Sequence, residues 1–350
     1  MRGILFLILS FCLAGFAPNA WAVRVNSVYL AEIPVNSQSA QEKAQAAQDG
    51  LVRVLIKVSG NAQILDSYPS LKATLGQAQS LVQQYSYATR PLGKTTMTIL
   101  TLRYDPEGIN HLLQNAGAPI WGQNRPLIVV VLAMESQAHP LDIVDSADLD
   151  LQTGLKQAAK QRGLPVIFPV MDMTDMNQIA ASDVMNKAVP KLQAATARYH
   201  GNALLIGHIK KTLVNINSEW TYVGENGPLS FNVTDVSYPA LFAGVMNHLA
   251  DSLVTQYAAP QTTTADMQVI MKVAGVKQQN DLMQLMKYLQ HLTQVVDVQL
   301  TSVQGDVVVL TVSLHSNKQT FTQALSLGKN LQSQPNQDHM DDTLLYQWQP

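Results

Sequence analysis

Residues 115–134, NAGAPIWGQNRPLIVVVLAM, decide how the chain divides. Residues 127–134 are apolar without alternation, the mark of a strand covered on both faces. Ahead of them Gly117 and Gly122 stand with polar residues behind, a spacing that raises the question of a phosphate-binding loop. Such a loop needs strand, glycines and then helix, so that loop amides and the helix N-terminus face the anion. Here the order is reversed: the segment opened by Pro106 and carrying Leu112 and Leu113 reads as a helix, and the strand follows. Gln123 and Asn124 also stand where Lys and Ser or Thr would hold phosphate and magnesium. The stretch is a connector: Gly117 stops a helix from its C′ position, Trp121 and Gly122 cross between units, and Arg125-Pro126 open the next.

Upstream of the connector, residues 23–122 read as a small α+β domain. VRVNSVYLAEIPV is strand-like and ends near Pro34. In the following segment Ser39 and Glu42 have capping-box spacing, and Ala40, Ala44, Ala47, Leu51, Val54, Leu55 and Val58 trace one helical face that stops at Gly60. A second helix is expected over residues 71–82, then a strand in TTMTILTLRYD, then the helix from Pro106.

Residues 125–257 read as an α/β domain in βαβαβ order followed by a hairpin and a closing helix. The expected pieces are the strand at 127–134, a helix from Ser146 to Gly163, a buried strand LPVIFPV, a helix over 182–199 and the strand NALLIGHI. SEWTYV, the turn Gly224-Glu225-Asn226-Gly227 and LSFNV form the hairpin, and a helix spans 239–257. Residues 258–266, AAPQTTTAD, lack periodicity and read as a linker. Residues 267–350 give βαββα with a possible last strand, LLYQWQ, the order of a ferredoxin-like plait.

The N-terminus, MRGILFLILSFCLAGFAPNAWA, combines Arg2, an apolar run and the ending Ala20-Trp21-Ala22, which predicts a signal peptide over residues 1–22, cleavage after Ala22 and a periplasmic location. Its Cys12 is the only cysteine and follows Phe11, not the small residue that lipidation wants. A mature chain without cysteine excludes disulfides, thiolate nucleophiles and cysteine-held metals. With a net charge of −2 and no basic run longer than Lys210-Lys211, the chain lacks the clustered cations that neutralise phosphates, so nucleic acid is not an expected partner. No later apolar segment approaches bilayer length, so no transmembrane segment is expected after signal cleavage.

The motifs that could carry chemistry are few, and no cofactor is expected. Met171, Met173 and Met176 in MDMTDM offer soft thioethers of the kind that select Cu(I), against ordinary adaptable packing after a buried strand. Asp142, Asp145, Asp148 and Asp150 lack the glycine and terminal glutamate of a calcium loop and suit the start of a helix. The histidines at 111, 139, 200, 208, 248, 291, 315 and 339 are scattered, and none has H-E-x-x-H spacing. There is no G-x-S-x-G elbow. Candidate contact residues are Trp121, Trp220, Tyr222 and Asn226 at the hairpin tip, each set against plain packing.

YLAEIPVNSQSAQEKAQAAQDGLVRVLIKVSGN, YDPEGINHLLQNAGAPIWGQNRPLIVVVLA, RGLPVIFPVMDMTD with Ser182-Asp183-Val184, and ARYHGNALLIGHI together resemble the proteobacterial domain-of-unknown-function family 2066 across nearly the whole mature chain. That resemblance implies no activity, so no residue inherits a catalytic role. The middle unit is also similar to domains of bacterial envelope assembly factors: the N-terminal domain of the Tol propeller protein, activators of penicillin-binding proteins and the curli secretion lipoprotein. Where those carry a G-A-D-hydrophobic turn, this chain has Gly201-Asn202-Ala203-Leu204. That similarity implies a domain that binds proteins. The expectation is a multi-domain, non-enzymatic periplasmic accessory or scaffold factor that binds cell-envelope proteins. The alternative is a periplasmic ligand or copper carrier, or a hydrolase, working in a cleft between the middle and C-terminal units.

Overall fold

The structure is a computed structural model and describes residues 23–349 except 26, 93–94, 138–139, 146, 259–266, 316, 329 and 335–342. The signal peptide, nearly all of the linker, and Ser146, His139 and His339 therefore lie outside the described residues. Helices and strands mix in several sheets, a multi-domain α+β fold.

The N-terminal unit pairs Leu30–Val35 and Val82–Leu92 with the two edges of Thr95–Tyr104 in an antiparallel sheet. Helix Ala40–Ser59 lies on it, burying Ala47, Leu51, Val54, Leu55 and Val58. Ser39 caps it by accepting from the Glu42 amide, and Gly60 ends it in the left-handed region, φ 71°. A side chain at Gly60 would also collide with Val254, so the glycine allows the helix Tyr238–Tyr257 to approach. Three details differ from the sequence reading. The first strand is split into Val23–Arg24 and Leu30–Val35 by a turn. Residues 71–82 form the short helix Ser70–Thr74 and the 3-10 turn Leu75–Leu81. Val82–Leu92, to which the sequence reading gave no element beyond the end of the second helix, is an edge strand.

The middle sheet has the order Gly227–Asp235, Ile216–Gly224, Ala203–Lys211, Ile128–Ser136, Asp142–Ile143, with Val166–Ile167 also beside Ile128–Ser136. Ile128–Ser136 runs parallel to both Ala203–Lys211 and Val166–Ile167. Its unbroken apolar character follows from burial on both faces. Ile128, Val130 and Leu132 meet helices Leu149–Gln161 and Tyr238–Tyr257, while Val129, Val131 and Ala133 meet the shorter helices opposite. LPVIFPV keeps only Val166–Ile167 as strand, since Pro165 and Pro169 withhold ladder donors on either side. The helix expected over 182–199 is broken into Ala181–Met185, Val189–Thr196 and the 3-10 turn Ala197–Tyr199. Lys187, at φ 52°, sits at the break ahead of Pro190.

The C-terminal sheet has the order Val295–Gln304, Val307–Leu314, Met267–Ala274, Leu344–Trp348, Leu331–Ser333, with helices Gln279–Gln290 and Lys318–Ser326 contributing to its core. The first three strands are placed as in a ferredoxin-like plait. The other edge departs from it: Leu344–Trp348 lies parallel to Met267–Ala274, and Leu331–Ser333 is an added edge strand antiparallel to it. An extra strand reverses the chain once more, which is why the last strand arrives parallel.

Candidate cleft at the meeting of three units

The end of helix Ala40–Ser59 is where the middle unit is fastened. The last carbonyls of a helix have no partner inside it and carry the negative end of its dipole. Two buried arginines and the connector occupy them here. Arg125 donates from Nη2 to the carbonyls of Lys57 and Trp121 at 2.8 and 2.6 Å, and from Nε to Gly122 at 2.8 Å. The Trp121 amide donates to the Val58 carbonyl at 2.7 Å. Arg162 donates to the Gly60 carbonyl at 2.6 Å, and to Asn247 and Asp251 on the helix Tyr238–Tyr257. The Arg125 guanidinium lies 3.6 Å from the Trp121 ring, and Tyr257 stacks parallel to that indole at 6.3 Å.

The C-terminal unit closes on the same joint. Gln294 donates from Nε2 to the Tyr257 carbonyl at 3.1 Å, Thr293 lies against Gly122, and Leu327 enters the core of the middle unit. Between the three units is a cleft of about 1430 Å³. Its wall takes Tyr29 and Asn110 from the N-terminal unit, Trp121 and Tyr257 at the joint, and Tyr288 and Trp348 from the C-terminal unit. Amide side chains, among them Gln284, Gln290 and Asn330, surround these aromatics.

Burial pushes the hydroxyls of Tyr29 and Tyr288 above the ordinary phenol range and that of Tyr257 up to about 12, so all three stay protonated at neutral pH. Tyr29 donates to Asn110 Oδ1 at 3.0 Å. Three other polar atoms of wall residues, Trp121 Nε1, Tyr288 Oη and Trp348 Nε1, are buried with no hydrogen-bond partner among the described residues. Such groups are uncommon in folded proteins and call for an explanation.

The residues singled out from the sequence are distributed differently. Trp121, Trp220 and Tyr222 are buried at 1, 1 and 3% exposure, so none is a surface contact in this fold. Trp220 fills the middle core over Gly207, and its Nε1 donates to Ser218 Oγ at 2.8 Å. Asn226 is exposed at the two-residue hairpin turn, where it accepts from Gln323 at 3.3 Å while Ser326 donates to Glu225. The tip is thus a contact with helix Lys318–Ser326. The methionine triplet is divided: Met171 is buried against the middle sheet, whereas Met173 and Met176 are exposed on the next helix. The segment is organised by Asp172, which caps that helix, and by buried Asp175, which accepts from Arg198, Tyr199 and the Met171 amide. Among the described residues no three His, Cys, Asp or Glu side chains converge in a metal-binding group. Asp148 sits at the N-cap of Leu149–Gln161, the helix-start role read for its cluster. Sequence reasoning named a cleft between the middle and C-terminal units, but of its wall residues only Trp121 was singled out as a candidate contact, and the share of the N-terminal unit was missed, since the wall comes from segments as far apart as Tyr29 and Trp348.

Fold and cleft together define the class: a multi-domain α+β protein with a large recess where its units meet. Residues 22–122 match a family described as a domain of unknown function (DUF8605). This is an uncharacterised domain family, as the sequence suggested, but a different one from family 2066. No curated protein matches the chain. A formyltetrahydrofolate deformylase from Pseudomonas putida KT2440 is similar over 55% of this chain and 90% of that one, at 10% identity and a TM-score of 0.18. A likeness at that level carries no argument about fold or activity. No helix among the described residues is long and apolar enough to cross a membrane.

Proposed function

We propose that this chain is an exported, non-enzymatic accessory factor that binds cell-envelope proteins and does so in the cleft between its units. Kinship with family 2066 beyond residues 22–122 is part of the same proposal. The observation that carries the reading is that the cleft is built from three units around one joint, Trp121 with Arg125 and Tyr257. A recess of about 1430 Å³ exceeds the roughly 300–1,000 Å³ of ordinary small-molecule pockets. Its wall mixes amides and protonated tyrosines with Asp105, Glu107 and Lys287, so it offers hydrogen bonds and charges of both signs, which suits a segment of another protein. The split of Met171 from Met173 and Met176 gives the copper alternative no support.

Affinity capture from crosslinked cells tests this reading, with fractionation to locate the chain. The expected result is a periplasmic protein beginning at Val23 that brings down the same envelope protein in repeated experiments. Retention of residues 1–22 in the cytoplasm, or repeated capture without an envelope protein, would overturn it.

A further inference from the structure

We infer that a second copy of this chain pairs with the open edge of strand Gly227–Asp235, antiparallel about a two-fold axis at Asn232, so that two middle sheets become one. This surface lies apart from the cleft, and the inference does not depend on what the cleft binds.

Gly227–Asp235 pairs with Ile216–Gly224 along its whole length without a register shift, and among the described residues no strand lies on its other side. Pro228 shows which main-chain groups face that open side. In an antiparallel pair, every second residue exchanges both its N–H and its C=O with the neighbour. Pro228, opposite Val223, has no N–H to exchange, so Pro228, Ser230, Asn232 and Thr234 turn their main-chain groups outward. The side-chain bonds Thr221–Ser230 and Thr234–Asn217, both at 3.0 Å, agree, since side chains approach most closely in the pairs that exchange no main-chain bonds. Ser230, Asn232 and Thr234 are exposed, and among the described residues no hydrogen bond reaches their outward main-chain atoms. Donors and acceptors in a row at strand spacing are a template for another strand.

The other long edge strands are guarded against such pairing. Val295–Gln304 has two register shifts, Val82–Leu92 has one together with Arg90, and Leu30–Val35 carries Glu32 and Pro34. Gly227–Asp235 has no shift and no cation, and its proline stands at the start.

A second copy fits this edge by its own sequence. With the axis at Asn232, Asn232 meets the partner's Asn232 and Ser230 meets the partner's Thr234. All of these belong to the outward set, so each pair can exchange both main-chain bonds. On the helix-covered face Phe231 falls opposite the partner's Val233, which extends the apolar core. On the other face hydroxyl meets hydroxyl, and the Asn232 amides, which both donate and accept, meet each other. Asp235, the only charge in the strand, falls opposite the partner's Leu229, so no like charges meet.

The test is sedimentation of the purified protein from micromolar to sub-millimolar concentration, with amide hydrogen exchange measured on the same samples. The expected result is a monomer–dimer equilibrium in which the Ser230, Asn232 and Thr234 amides exchange more slowly as concentration rises. Asn232→Pro deletes the N–H on the axis and no bond of the ladder within the chain. It should weaken the dimer about five- to hundred-fold, the value of two hydrogen bonds, with circular dichroism confirming that the fold is kept. Asn232→Lys and Asn232→Asp change only an exposed side chain. Each should weaken the dimer about two- to five-fold by setting like charges opposite one another, and an equimolar mixture of the two should recover it. A monomer at every concentration, a dimer that Asn232→Pro leaves intact, or a mixture no tighter than either charged variant alone would each overturn the inference. Slow exchange of the three amides in a monomer would mean that another occupant covers the edge, and would overturn it as well.

Discussion

Trp121→Ala removes the piece on which three units close. The indole is 1% exposed, has Arg125 at 3.6 Å on its ring and is stacked with Tyr257. Truncating a buried tryptophan to alanine costs about 3–5 kcal/mol in transfer and cavity terms. The Arg125 cation loses its aromatic face as well, worth up to about 2 kcal/mol when desolvated. Because Nε1 has no partner among the described residues, no hydrogen bond of the side chain is lost, so Trp121→Phe, which keeps most of the apolar volume, should cost much less. The alanine loss approaches the roughly 5–15 kcal/mol that holds a typical fold together. Urea unfolding followed by circular dichroism should show an earlier first transition, and limited proteolysis should cut faster near residues 115–124. Unfolding within about 1 kcal/mol of wild type, together with an unchanged cleavage pattern, would refute the view that Trp121 fastens the units.

Tyr288→Phe should leave stability equal or raised, because it deletes a buried hydroxyl with no partner among the described residues; thermal unfolding checks this, and a loss above about 1 kcal/mol would mean the hydroxyl is satisfied in the free protein. Gly207→Ala should destabilise the middle unit by about 1–3 kcal/mol, since its Cβ would lie 2.3 Å from a Trp220 ring atom; an unchanged melting temperature would contradict the packing described. Lys57 is buried, donates to the Ser27 and Leu30 carbonyls, and is pulled down to about 8 by burial and then by the Lys160 charge. The unfolded lysine keeps its proton to about 10.4, so between these values the unfolded state binds more protons and stability should rise with pH, by up to ~3 kcal/mol. Urea titrations at pH 7.5 and 10 should show that rise relative to Lys57→Met, and parallel behaviour of the two proteins would refute it.

What could be read from the sequence follows from how strongly each segment is patterned. Ala40–Ser59 carries a cap, a stripe and a glycine stop that all act locally, and its ends fall where those signals stand. Residues 127–134 are buried on both faces, so composition alone marks them. Val82–Leu92 escaped because an edge strand with solvent on one side needs little apolar residue, and its Gln83, Gln84 and Ser86 are exposed. The break in residues 181–199 is set by Lys187 and Pro190, which a count of apolar spacing passes over. The parallel entry of Leu344–Trp348 depends on one added strand pairing outside it, a long-range property. For the cleft, Trp121 was legible as part of a connector. That its N–H lacks a partner, and that Tyr288 and Trp348 share the wall, depends on packing between units distant in sequence.

The most direct test of the central claim places a photoreactive amino acid at Gln284, an exposed wall residue of the cleft, and another at Gln268, on the C-terminal sheet and outside the wall. Irradiation in living cells should join Gln284 to one envelope protein and leave Gln268 unlinked. Equal crosslinking from both positions, or none from Gln284, would contradict a partner bound in the cleft.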